Sequence, residues 1–251
     1  MKDKYQLRHQ KKDLSFSRNL FLMFLTVFLV MILLGSWLIR YWQRDGRPNI
    51  NDYPVLGVSL SQEDGYQDFR LLKKHGIDFV YLKATQGADY FDDAFNTNYF
   101  LLQGAQIPFG VYHYFSFSTT PQQQFVNFKT NVQQNIGTLP IVIQVNNYQE
   151  TLPKPATVKK SVSQLSDLLL KYYQRPVLIE ADPQFNYLKD VTNNSLWLQQ
   201  RPHPTNNLVV TFWQYSSHSK IPSLASDNRY HLSVFNGTQE QWDHFRQTGG
   251  N

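Results

Sequence analysis

Ile77-Asp78-Phe79-Val80-Tyr81-Leu82-Lys83, then Ala94 to Gly104, then Ile107-Pro108-Phe109-Gly110-Val111-Tyr112-His113-Tyr114-Phe115 is the stretch that decides the fold. Its two ends are apolar runs of β-branched and aromatic residues, the composition of buried strands. The middle has helical spacing and closes on Gly104, a residue suited to ending a helix. Two strands joined by a helix read as a parallel pair, since parallel neighbours need a crossover connection of about that length.

The same unit repeats outward. Upstream, Val55–Leu60 reads as a strand and Gln67–His75 as a helix, with Phe69, Leu71 and Leu72 on its apolar side and Gly76 as its cap. Downstream come a helix at Pro121–Gln134, a strand at Leu139–Val145, a helix at Val158–Tyr173 with Val162, Leu165, Leu168 and Leu169 on one face, and a strand at Pro176–Glu180. Beyond these the helices shrink, and Ser195–Gln199, Leu208–Gln214 and Tyr230–Phe235 read as strands joined by loops. Near-continuous apolar strands alternating with helices predict an α/β fold with a parallel sheet covered by helices. Five βα units and three closing strands predict an irregular (β/α)5β3 barrel of the TIM type.

Residues 1–54 read differently. Leu20 to Ile39, LFLMFLTVFLVMILLGSWLI, carries no charge, and as a helix it spans about 30 Å, the thickness of a bilayer's hydrocarbon core. Lys2, Lys4, Arg8, Lys11, Lys12 and Arg18 precede it, and Arg40, Arg44 and Arg47 follow. The heavier basic flank predicts a cytoplasmic N-terminus and an extracellular C-terminal domain. No small-residue cleavage site follows the apolar run, so an uncleaved anchor is expected. The expected organisation is a basic tail at 1–18, a transmembrane helix at 19–40, a linker at 41–54, a barrel at 55–240 and a C-terminal tail at 241–251.

The formal charge of +5 belongs to this N-terminal part: past residue 47 there remain 15 of the 24 bases and 16 of the 19 acids, so the main domain has no basic footprint for nucleic acid. Without cysteine the chain has no disulfide, zinc-thiolate site or thiol nucleophile, a composition compatible with a Gram-positive surface protein. The scattered histidines offer no metal-ligand spacing, and neither metal nor cofactor is implied.

In barrels of this type chemistry gathers where strands end. Those positions are Ser59, Lys83 to Gly87, His113 to Phe115, Gln144 to Asn147, Glu180 to Asp182 and Trp213 to Tyr215. Gln144 and Asn146 alternate with Val145 and so point to one side of their strand, where they form either an amide network that fixes the barrel or a site. Tyr112 and His113 close the third strand, with His113 read as structural or as a base. Trp213, Gln214 and Tyr215 read as a core plug or a sugar-stacking platform.

Six segments, in order, resemble glycoside hydrolase family 25, the lysozymes that cleave peptidoglycan glycan. Gly57-Val58-Ser59-Leu60-Ser61 is similar to G-[IV]-D-[VI]-S. Phe79 to Gly87 is similar to F-V-x-x-K-A-T-E-G, and Gly110-Val111-Tyr112-His113-Tyr114 to G-x-Y-H-F. Leu139 to Asn146 is similar to L-P-x-x-x-D-x-E, Phe212 to Ser216 to W-Q-Y-[ST], and Leu232 to Gly237 to the closing D-x-[NS]-x-F-[NY]-G. The departures fall on the acids: Ser59, Gln86, Gln144, Asn146 and His231 stand where the family has carboxylates.

The resemblance implies a muramidase-like barrel, with Ser59, Lys83, Gln86, Tyr112, His113, Gln144, Asn146, Trp213, Gln214 and Tyr215 as candidate substrate-binding residues. Glycoside cleavage needs a proton donor and a carboxylate, and an amide supplies neither near neutral pH. Three readings follow. The chain is a pseudoenzyme that binds peptidoglycan strands or a wall or membrane protein; or it is an active muramidase with relocated carboxylates, for which Asp64, Glu180 and Asp182 are the candidates; or the barrel is a structural module of a membrane complex.

Overall fold

The apolar run lies inside one long helix, α1 (Asp3–Gln43), whose Asn19–Ile39 segment is long and apolar enough to cross a bilayer and is not buried. It is consistent with a single membrane-spanning or signal segment. The computed structural model describes residues 3–43, 46–148, 151–191, 196–199, 210–222 and 224–250, with side chains in α1 from 19 to 39. The side chains of the basic flank from Lys2 to Arg18, and Ser195 and Leu208 at the expected starts of two strands, lie outside the described residues. The chain divides into two units at residues 46 and 47, and the second contains the barrel.

The strands are β1 (Leu56–Leu60), β2 (Phe79–Gln86), β3 (Tyr90–Phe91), β4 (Phe109–Tyr114), β5 (Ile141–Val145), β6 (Val177–Ala181), β7 (Leu196–Gln199), β8 (Val210–Ser219) and β9 (Tyr230–Phe235). The helices around them are α2 (Phe69–Lys74), α3 (Phe95–Ala105), α4 (Pro121–Val132), α5 (Pro155–Tyr173) and α6 (Gln239–Thr248). Their starts carry local signals. Asp68 accepts from Leu71 N–H at 3.0 Å ahead of α2, and Thr120 forms a capping box with Gln123 ahead of α4. Proline occupies the first turn of α4 and α5.

The nine-stranded sheet runs β1-β9-β8-β7-β6-β5-β4-β2-β3 and closes through pairing of β1 with β2, so the strands form a closed barrel with β3 hung on the end of β2. Pairing is parallel from β1 through β2, β4, β5, β6, β7 and β8. The last strand, β9, is antiparallel to both β8 and β1. The sheet is therefore mixed rather than wholly parallel. The described connection from β8 to β9 holds no helix, and a short connection returns the chain antiparallel.

Two apolar layers result. Alternate residues of each strand face the helices: Val58, Leu82, Val111, Ile143 and Ile179 pack with Phe69, Phe95, Phe128 and Leu165. The other set fills the barrel, where Phe79, Tyr81, Trp197 and Phe212 meet at ring separations of 4.8–6.3 Å. Gly57 makes room for this: a Cβ there would stand 2.1 Å from the Phe79 ring. Gly57→Ala is expected to displace Phe79 and cost about 1–3 kcal/mol, read as a lower urea midpoint of the full chain in detergent.

Residues 241–251, which read as a tail, instead carry most of α6. A capping box of Thr238 with Gln241 starts the helix, and Trp242 is 3% exposed. Its ring lies 5.3 Å from Phe79 and 5.4 Å from Phe235, so α6 seals the barrel at the end where the parallel strands begin. Tyr53, assigned to the linker, is also core: it is 3% exposed and packs on Trp213 at 5.5 Å.

Candidate functional site

With one end of the barrel plugged by aromatic rings, the polar residues collect at the other. Along each strand the inward set passes from apolar to polar: Phe79, Tyr81 and Lys83 on β2; Val142 and Gln144 on β5 with Asn146 beyond; Leu178 and Glu180 on β6 with Asp182 beyond; Phe212 and Gln214 on β8. On the antiparallel β9 the order reverses to Phe235, Ser233 and His231. Period two produces each set, since successive side chains point to opposite faces.

The strand registers join these residues into a ring. Ser59 is opposite His231, Ser233 opposite Gln214, and Gln214 opposite Gln199. Trp197 pairs with Glu180, Glu180 with Gln144, and Gln144 with Tyr114. On β2 a register shift between Lys83 and Thr85 turns Gln86 back beside Lys83, whose Nζ donates to Gln86 Oε1 at 2.8 Å.

The ring has surplus hydrogen-bonding capacity. Ser59 Oγ, Tyr81 Oη, Asn146 Oδ1, Glu180 Oε2, Trp197 Nε1, Gln214 Oε1 and Ser233 Oγ are buried with no partner. Buried polar atoms are normally satisfied, and each that is not costs about 1–3 kcal/mol. Seven on one face of one barrel concentrate unmet hydrogen-bonding capacity there.

Glu180 is the carboxyl of the ring. It is 0% exposed, its Oε1 accepts from Gln199 Nε2 at 2.9 Å, and burial pushes its pKa up to about 7 while the Gln199 and Gln144 amides pull it back. The buried Tyr81 and Tyr112 hydroxyls are held well above the ordinary phenol range, by burial first and then by Glu180. Burial lowers Lys83, against the opposing pull of Asp92 and Glu63, and its ammonium lies 4.8 Å from the Tyr90 ring and 5.2 Å from Tyr114.

Of the residues singled out in the sequence, Ser59, Lys83, Gln86, Tyr112, Gln144, Asn146 and Gln214 share this inner face with Glu180. Asp182 stands above Glu180 at the rim, 3.5 Å from Asn147 N. Asp64 lies beyond β1, capped by Ser61 N–H at 2.8 Å; its pKa is raised by burial, with His231 among the opposing influences. His113, Trp213 and Tyr215 lie on the other face.

His113 is 0% exposed between β4 and α4. Its Nδ1 lies 2.8 Å from Thr85 Oγ1 and its Nε2 2.9 Å from Gln124 Oε1, and burial drops its pKa to about 4. It is a neutral tie between strand and helix. Trp213 and Tyr215 belong to the layer under the helices and contact each other at 6.3 Å. Tyr81, Trp197, Gln199 and Ser233 were not picked out from the sequence. Counting by twos back from each strand end would have found Tyr81 and Ser233.

Among the described residues no group of three or more His, Asp or Glu side chains is placed to hold a metal ion.

The sequence profile of the family described as Glycosyl hydrolases family 25 matches residues 58–224. The protein YegX of Escherichia coli (strain K12) is 27% identical over 205 residues, 77% of this chain and 74% of its own length. Lysozyme M1 of Streptomyces globisporus is 25% identical, covering 73% of this chain and 68% of its own. Among solved structures, a family 25 glycosyl hydrolase from Bacillus anthracis superposes with a TM-score of 0.69 at 27% identity, over 80% of this chain and 96% of its own.

Proposed function

The chain belongs to family 25 of the glycosyl hydrolases, and from that premise we propose that its barrel binds peptidoglycan glycan strands without cutting them, held at the outer face of a membrane by α1. The observation that carries this reading is the inner ring itself. By the motif resemblance, Ser59, Gln86, Gln144 and Asn146 stand where the family has carboxylates. Unpartnered hydroxyl, amide and indole groups around them provide donors and acceptors of the kind that sugar hydroxyls and acetamido groups use. Hydrolysis of a glycoside takes two carboxyls about 5–9.5 Å apart flanking the scissile bond. Among the described residues Glu180 is the one carboxyl within the ring, and it is wholly buried, while Asp182 stands above it at the rim.

The uncharged span and the heavier basic flank before it support a cytoplasmic N-terminus and an extracellular barrel, and the order of strands and helices from β1 to β9 supports a (β/α)5β3 organisation. Glu180 favours a second reading, an active muramidase with a relocated acid, because a carboxyl near pKa 7 is suited to donating a proton at neutral pH. One experiment separates the two. Full-length chain in detergent is mixed with purified peptidoglycan sacculi. Co-sedimentation without release of reducing ends is the expected result. Release of muropeptides that disappears in Glu180→Gln would replace the first reading with the second.

A further inference from the structure

The loops after β4, β5 and β6 build a column of rings at the barrel mouth. Phe185 is its base, 1% exposed. Phe117 lies on Phe185 at 5.8 Å and 26°, and Tyr148 lies on Phe117 at 5.3 Å and 21°. Tyr148 is the outer end and is 42% exposed. Its hydroxyl is tied down, accepting from Phe117 N–H at 2.6 Å and donating to Ser116 Oγ at 3.3 Å. A ring fixed in this way loses little rotamer freedom when something settles on it.

The surroundings specify the guest. Tyr114 lies 5.8 Å from Tyr148 on one side, is opposite Gln144 in the strand register, and links the column to the inner ring. At the residue before Tyr148, Asn147 N–H approaches Asp182 Oδ2 at 3.5 Å, Asn147 Nδ2 donates to Gln184 Oε1 at 3.4 Å, and Gln184 Nε2 donates to Asp182 Oδ2 at 3.3 Å. A flat aromatic face whose chain neighbour gathers amides and a carboxylate offers what a pyranose takes, since its C–H face is apolar and its edge is hydroxyl.

We propose that Tyr148 is a stacking platform for one pyranose of a bound glycan, with Asp182 and Gln184 accepting its hydroxyls, at a position outside the buried ring that holds Gln144. The inference rests on the reading that the barrel mouth binds glycan, and it locates a contact that the motif positions do not contain.

The test uses full-length chain in detergent, titrated with soluble glycan strands released from sacculi by a muramidase. Tyr148→Ala weakens binding about ten-fold, whereas Tyr148→Trp, which keeps a flat face, binds at least as well as the parent. Tyr148→Leu keeps apolar cover over Phe117 but offers no flat face, and it loses affinity as Ala does. A Leu variant that folds and binds like the parent overturns the platform. If Gln144→Ala abolishes binding while Tyr148→Ala leaves it untouched, the platform falls and the glycan-binding reading stands. If the parent retains no glycan, both fall.

Discussion

On the proposed reading of a non-hydrolytic binder, placing carboxylates at four positions of the inner ring, as Ser59→Asp, Gln86→Glu, Gln144→Asp and Asn146→Glu together, is expected to confer hydrolysis of peptidoglycan. General acid–base participation is worth about 10²–10⁴-fold, so release of reducing ends from sacculi should rise at least about 100-fold over the parent. The scaffold supports the gain: Gln144 is already in register with Glu180 and Tyr114, and the shift in β2 already turns Gln86 inward beside the Lys83 ammonium. The change also carries a stability penalty. An Asp at 144 would stand directly across from the buried Glu180, and two like carboxyls on neighbouring strands resist joint ionisation. The quadruple variant should therefore melt below the parent, and adding Glu180→Gln should recover part of the loss. A quadruple variant that folds and binds glycan but releases no reducing ends would mean that carboxylates at these four positions are not sufficient for hydrolysis.

The strands were legible because their apolar runs are long relative to the turns between them. Val55–Leu60 and Leu139–Val145 anticipate Leu56–Leu60 and Ile141–Val145 to within two residues. Three features were not legible. The two-residue β3 is too short to carry a period. The helix α6 buries only Trp242, so its ten residues lack a sustained apolar stripe, although Thr238 and Gln241 do form a readable capping box. The reversed direction of β9 depends on what fills its connection, not on the strand's composition.

The site was half legible for a related reason. Motif positions named residues without assigning them faces, so His113, Trp213 and Tyr215 were grouped with Gln144 although they point the other way. The alternation already used to pair Gln144 with Asn146 would have separated them had it been applied strand by strand. The register shift that turns Gln86 inward has no counterpart in composition at all.

Glu180 sets the second large effect, and its sign is fixed by the direction of its shift. The folded carboxyl titrates near 7 against an ordinary value of 4.5, because burial disfavours the anion and no cation among the described residues is paired with it. Below pH 4.5 both folded and unfolded chains hold the proton, and Glu180 costs nothing. Between 4.5 and 7 the unfolded chain ionises first, so stability falls as pH rises. Above 7 the loss levels off at about 3 kcal/mol.

Glu180→Gln removes the titration. Its amide can still accept from Gln199. The variant should match the parent at pH 4 and exceed it by about 2–3 kcal/mol at pH 8, measured by urea unfolding of the full chain in detergent. His113 imposes the opposite slope, since a neutral histidine held near pKa 4 costs stability as pH falls from 6.5 towards 4. That term is common to both proteins and cancels in their difference. The difference curve therefore reports Glu180 alone, and a flat one would mean that the carboxyl has found a partner or water inside the barrel.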